Sequence, residues 1–97
     1  MPIYITMMKL TDQGIKDIKN APARFAEGVK GLEAVGGKML GFYLTMGEYD
    51  YVAITEGPSD EVALAYLLAL GMQGNVRTNT IKAFPQELMA EMVKKLP

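Results

Sequence analysis

The residues best equipped for chemistry in this chain cluster in one short stretch, GEYDY, Gly47 to Tyr51, where an aspartate lies between two tyrosines. A carboxylate raised in pKa by apolar surroundings can abstract a proton, and a tyrosine beside it can donate a hydrogen bond. Asp50 with Tyr49 is therefore the candidate acid–base pair. The same aspartate at a chain reversal has a structural use, as an acceptor for backbone N–H groups or as the partner of Arg24 or Arg77.

The residue types that are missing narrow the choice. The chain has neither cysteine nor histidine, which removes thiolate and imidazole nucleophiles, imidazole bases and the commonest metal ligands. Ser59 is the only serine, and without histidine it cannot belong to a Ser-His-Asp triad. No metal site and no cofactor are expected. Any catalysis would rest on Asp, Glu, Lys, Arg or Tyr.

Binding residues are sought among polar side chains inside otherwise apolar strands. Tyr43, Tyr49 and Tyr51 each offer an apolar ring with one polar tip, suited to a cavity wall and equally to a subunit interface. In VRTNT, either Arg77 and Asn79 or Thr78 and Thr80 must face an enclosed side, where polar groups need partners. Tyr43, Asp50, Arg77 and Arg24 are the candidate ligand contacts, with Arg77 able to hold a carboxylate bidentately.

These side chains need a scaffold, and 97 residues supply one domain, residues 1–97. Hydrophobic residues make up 49% and charged residues 22%, which is globular composition. Ten basic against eleven acidic residues leave no excess for gripping phosphates, so nucleic acid is not an expected partner. No run is long enough to span a bilayer and MPIYITMMKL lacks signal-peptide features, so a soluble cytoplasmic protein is expected.

The first strand is read over residues 2–10, ending at the turn cluster Thr11-Asp12-Gln13-Gly14. After a short helical turn, a helix opens at Asn20-Ala21-Pro22, with Asn as cap, and closes at Gly36-Gly37; Phe25, Val29 and Leu32 form its inward stripe. Lys38 to Met46 and Tyr51 to Glu56 are the second and third strands. A second helix follows Gly57-Pro58-Ser59-Asp60 and turns Val62, Tyr66, Leu67 and Leu70 inward. The fourth strand runs from Asn75 to Phe84, and a terminal helix carries Leu88, Met92 and Leu96 as an apolar stripe. The order βαββαβ is the α+β ferredoxin-like pattern.

Two helices cover only one face of the sheet. A three-residue hairpin loop with a bulge gives the cleaner segregation, with Val52, Ile54, Phe42 and Leu44 toward the helices. Tyr43, Thr45, Tyr51, Ala53 and Thr55, with Tyr4, Thr6 and Met8 as the outward set of the first strand, then form an uncovered face. Such a face is too apolar to stay bare, and a second copy of the chain is the simplest cover.

TDQGIKDIKNAPAR, GGKMLGFYLTMGEYDYVAITEGPSDE and GNVRTNTIKAF resemble the GYD-domain family, whose Gly-Tyr-Asp signature falls here on Gly47, Tyr49 and Asp50, with Glu48 between the first two. The resemblance covers nearly the whole chain and implies a dimeric α/β barrel in which two ferredoxin-like sheets pack face to face. The hairpin is also similar to that of ligand-sensing domains in the leucine-responsive regulator class, but no helix-turn-helix accompanies it. The expectation is a homodimer or higher homo-oligomer with a modest cavity between helices and sheet, acting as a small-molecule binding or sensing module. The alternatives are a cofactor-independent isomerase or monooxygenase using Asp50 with a tyrosine, and a structural oligomeric scaffold.

Overall fold

The structure is a computed structural model that describes all 97 residues. Strand β1 (Ile3–Leu10) is followed by α1 (Asp12–Lys16), a 3-10 turn (Ile18–Asn20) and α2 (Ala21–Ala34). Then come β2 (Lys38–Leu44), β3 (Tyr51–Glu56), α3 (Asp60–Met72), β4 (Val76–Ala83) and α4 (Leu88–Lys94). The four strands form one antiparallel sheet in the order β2-β3-β1-β4, with α2 and α3 on one face. This is the ferredoxin-like α+β arrangement expected from the element order.

Local chemistry explains most of the boundaries. The Thr11 hydroxyl accepts the Gly14 N–H and starts α1, and Ser59 accepts the Val62 N–H and starts α3. Helix α2 ends where the Gly37 N–H reaches the Leu32 carbonyl and the Gly36 N–H reaches Glu33, with Gly36 at φ 86°. That pair of hydrogen bonds is the Schellman stop, and the left-handed backbone is why glycine stands there. Asn20 does not cap α2 as its position suggested: the preceding 3-10 turn runs directly into the helix, and the Asn20 amide donates to Asp17 instead.

The hairpin register differs from the bulged loop expected. The Thr45 N–H donates to the Asp50 carbonyl at 2.9 Å, and Tyr43 pairs with Val52 and Leu44 with Tyr51. The irregularity sits instead between Met39 and Gly41, inside β2. With this register Phe42, Ala53 and Tyr51 face the helices while Val52 and Ile54 face away. Rings explain the choice: Phe42 packs 4.5 Å from Phe25 of α2 and 5.2 Å from Tyr51, a three-ring chain that needs Tyr51 on the helix side. The small Ala53, almost fully buried, lies on the helix-facing side of the sheet.

Strand β1 follows the same pleat. Tyr4, Thr6 and Met8 lie under the helices, and the Thr6 hydroxyl shares a 2.9 Å hydrogen bond with Thr80. Ile3, Ile5 and Met7 lie on the open face. The open face is therefore aliphatic rather than the Tyr-Thr-Met surface expected. Paired positions across the strands put Ile54, Ile5 and Ile81 in one row and Tyr43, Val52, Met7 and Asn79 in the next.

The interior is thin. Only Tyr4, Leu32, Ala53 and Val76 are buried apolar residues. Helix α3 is apolar on all sides and leaves Leu64 and Leu68 exposed. Residues 89–97 are all exposed, so the terminal stripe of Met92 and Leu96 covers nothing in its own chain. The molecule is correspondingly elongated, 53 × 31 × 18 Å, with a radius of gyration of 15.0 Å, against about 12.5 Å for a compact chain of this length.

Candidate functional site

Asp50 stands at the end of the sheet rather than in a pocket. Its carboxylate accepts the Leu10 N–H at 2.8 Å, and its own N–H donates to the Met8 carbonyl at 2.8 Å, so it ties the hairpin to the last residues of β1. Neither Arg24 nor Arg77 bonds to it: Arg24 pairs with Asp17 at 2.6 Å, and Arg77 is exposed on the open face of β4.

Tyr49 folds beside the open face, where its hydroxyl accepts the Asn79 amide at 3.0 Å and its ring lies 5.7 Å from the Lys9 ammonium. Tyr43 is on that face too, on edge strand β2, 59% exposed. Arg77 is on the opposite edge, three strand spacings or roughly 14 Å away. The structure thus brings Tyr49 together with Asn79 and Lys9, but it does not assemble Tyr43, Asp50, Arg77 and Arg24 into one site.

The concave site is elsewhere. Between α2, α3 and the helix-facing side of the sheet lies a cavity of about 420 Å³. This size is within the range of small-molecule pockets. Its walls include Met8, Phe25, Val29, Phe42, Tyr51 and Leu70. Arg24 is the only charged residue on the lining, and the other polar side chains are Tyr51, Tyr66, Gln73 and Asn75. Tyr66 donates to the Gly28 carbonyl at 2.7 Å, and its burial pushes the phenol pKa up.

A second polar cluster, centred on Tyr4, went unread in the sequence. Tyr4 is buried, and its hydroxyl donates to Asp60 at 2.5 Å while Lys82 approaches the same carboxylate at 3.0 Å. Burial first, then the hydrogen bond to Asp60, pushes the Tyr4 pKa up to about 12. The bonds from Tyr4 and then Lys82 hold the Asp60 carboxyl below its ordinary value. The only sequence cue was Asp60 in the first turn after the Ser59 cap; that Tyr4 and Lys82 are cross-strand partners emerges only from the register. No group of three or more Asp or Glu side chains is arranged to hold a metal ion, and no helix is long and apolar enough to cross a membrane.

Fold and surfaces together define a small ferredoxin-like module with an apolar cavity on one side of its sheet and an open aliphatic face on the other. Residues 4–93 match the GYD domain, and the chain belongs to that family. It is 30% identical over 97 residues, covering 99% of each chain, to a Thermus thermophilus protein named "Glutamine synthetase and cystathionine beta-lyase binding protein".

Proposed function

We propose that this chain is a homo-oligomeric binding module in which two copies pair their open sheet faces and the assembly binds and regulates an enzyme, responding to a small molecule held in the cavity. The observation that carries the reading is the open face itself. A row of three isoleucines, Ile54, Ile5 and Ile81, beside Val52, Met7 and Tyr43, is an apolar surface of the kind that marks an interaction site rather than staying bare. A two-fold pairing needs just this one surface.

The partner class follows from the relative, which is named for binding glutamine synthetase and cystathionine beta-lyase. Those two enzymes, taken from the source of this chain, are the partners to test first. The arrangement of Asp50 favours binding over proton transfer, since its carboxylate is engaged by the Leu10 N–H and no tyrosine is bonded to it.

Light scattering after size exclusion should give a dimer or larger mass for the wild type and a monomer for Ile54→Arg. Interferometry with each purified enzyme should show saturable binding. A wild type that is monomeric at high concentration and binds neither enzyme would overturn the proposal.

A further inference from the structure

We infer that the cavity between α2, α3 and the sheet is a site for an aromatic monocarboxylate of one or two rings, with Arg24 as the carboxylate anchor and the Phe25–Phe42–Tyr51 wall as the ring platform. The inference rests on the sensing part of the proposed function and adds the chemical class of the ligand.

The shape and chemistry of the lining select that class. Three tilted rings in sequence, 4.5 and 5.2 Å apart, form one side of the cavity, and flat molecules pack on such surfaces by offset or edge-to-face contact. Met8, Val29, Met39 and Leu70 complete an apolar surround in which the two thioethers adapt to ring edges. Nothing there compensates a second charge on a ligand.

The single charge on the lining sets the sign of the ligand. The Arg24 side chain is only 23% exposed, yet Nη1 alone is bonded, to the Asp17 carboxylate at 2.6 Å and the Asp17 carbonyl at 3.0 Å. Nε and Nη2 have no partner in the chain, and neither is sealed from solvent. A guanidinium held on one corner keeps a second edge for a planar, two-oxygen anion. The Tyr51 hydroxyl and the Gln73 amide, on the same lining, also make no side-chain hydrogen bond.

The probe is 2-naphthoate, with 2-naphthamide as a neutral analogue of the same shape, titrated into the full-length protein by calorimetry and by amide-resolved NMR. The acid should bind one per chain and about tenfold or more tighter than the amide, as expected for a charge-assisted hydrogen bond. NMR shifts should fall on α2, Phe42, Tyr51 and Leu70. Arg24→Gln should bring the acid down to the affinity of the amide while leaving the amide unchanged, and Val29→Phe should weaken both by filling the cavity. Equal affinities for acid and amide in the wild type, absence of saturable binding, or shifts confined to Ile5, Ile54 and Ile81 would overturn the assignment, whether or not a variant folds. These titrations contain no enzyme partner, so their failure and that of partner binding are separate results.

Discussion

Tyr4, Asp60 and Lys82 form the polar cluster with the clearest consequence for stability. Tyr4 is raised from an ordinary 10.0 to about 12, so between those values the folded state keeps a proton that the unfolded state has lost. Stability from this source is intact below pH 10 and declines as the pH rises toward 12. Asp60 acts at the other end: its carboxyl is depressed below 3.8, so its contribution is present above that value and is lost as the pH falls through the depressed one. Urea unfolding across pH 2 to 12, taken as approximate limits, should show both limbs. Tyr4→Phe should shrink the acid limb, because the Tyr4 hydroxyl is the largest cause of the Asp60 shift, and should remove part of the alkaline limb, the remainder including Tyr66, which burial also raises. Superimposable profiles would refute the coupling. At this scale the sequence disclosed chemical types better than sites. Tyr43, Asp50 and Arg77 stand out as polar residues in apolar strands, but their neighbours depend on strand order and register. The cavity walls are Phe, Val, Met and Leu at core spacing, and a residue lining a void has the same sequence signature as one filling it. Of the four candidate ligand contacts only Arg24 lies on that lining, beside Tyr51, one of the three tyrosines suited to a cavity wall.

The elements were more legible than the contacts between them. Helix phases followed from apolar spacing: Leu32 is buried, and Val62, Tyr66, Leu67 and Leu70 are half-buried on the inward side of α3. The phase of β3 did not follow, because alternation reveals a buried face only when the other face is polar, and here both sides of the sheet are apolar. Helix α1 tests how tightly the small elements are fixed. A methyl group on Gly14 would stand 2.0 Å from the Asn75 carbonyl oxygen, and that oxygen already receives the Thr11 N–H at 3.0 Å. The clash is with backbone and cannot be relieved by a rotamer change. Gly14→Ala should therefore cost about 3 kcal/mol or more by urea unfolding, despite alanine's better helix propensity. A change within about 0.5 kcal/mol would mean that α1 is free to shift away from the loop before β4.

For the whole molecule, the open face and the exposed terminal segment are two aspects of one shape. The body presents Ile54, Ile5 and Ile81 on one side, and the segment beyond β4 leaves Phe84, Met89, Val93 and Leu96 in solvent. The sequence supported an uncovered face because two helices cannot cover both sides of a four-stranded sheet. It did not disclose that the terminal stripe would remain unpacked, since amphipathic spacing reads the same for a helix docked on its own chain and one docked on another. Under the proposed pairing of sheet faces, the thin interior described above, four apolar side chains in 97 residues, makes stability a question of mass action. A protomer that completes its apolar burial only against a second copy is held folded partly by the concentration of that copy. Each tenfold dilution should then remove about 1.4 kcal/mol of support per dimer, and calorimetric scans over a hundredfold range of concentration, taken as an approximate span, should show a melting temperature that rises with the amount of protein. A constant melting temperature would mean that the single chain is self-sufficient. With a rising one, the cellular abundance of the protein itself sets how much of it is folded and available to bind.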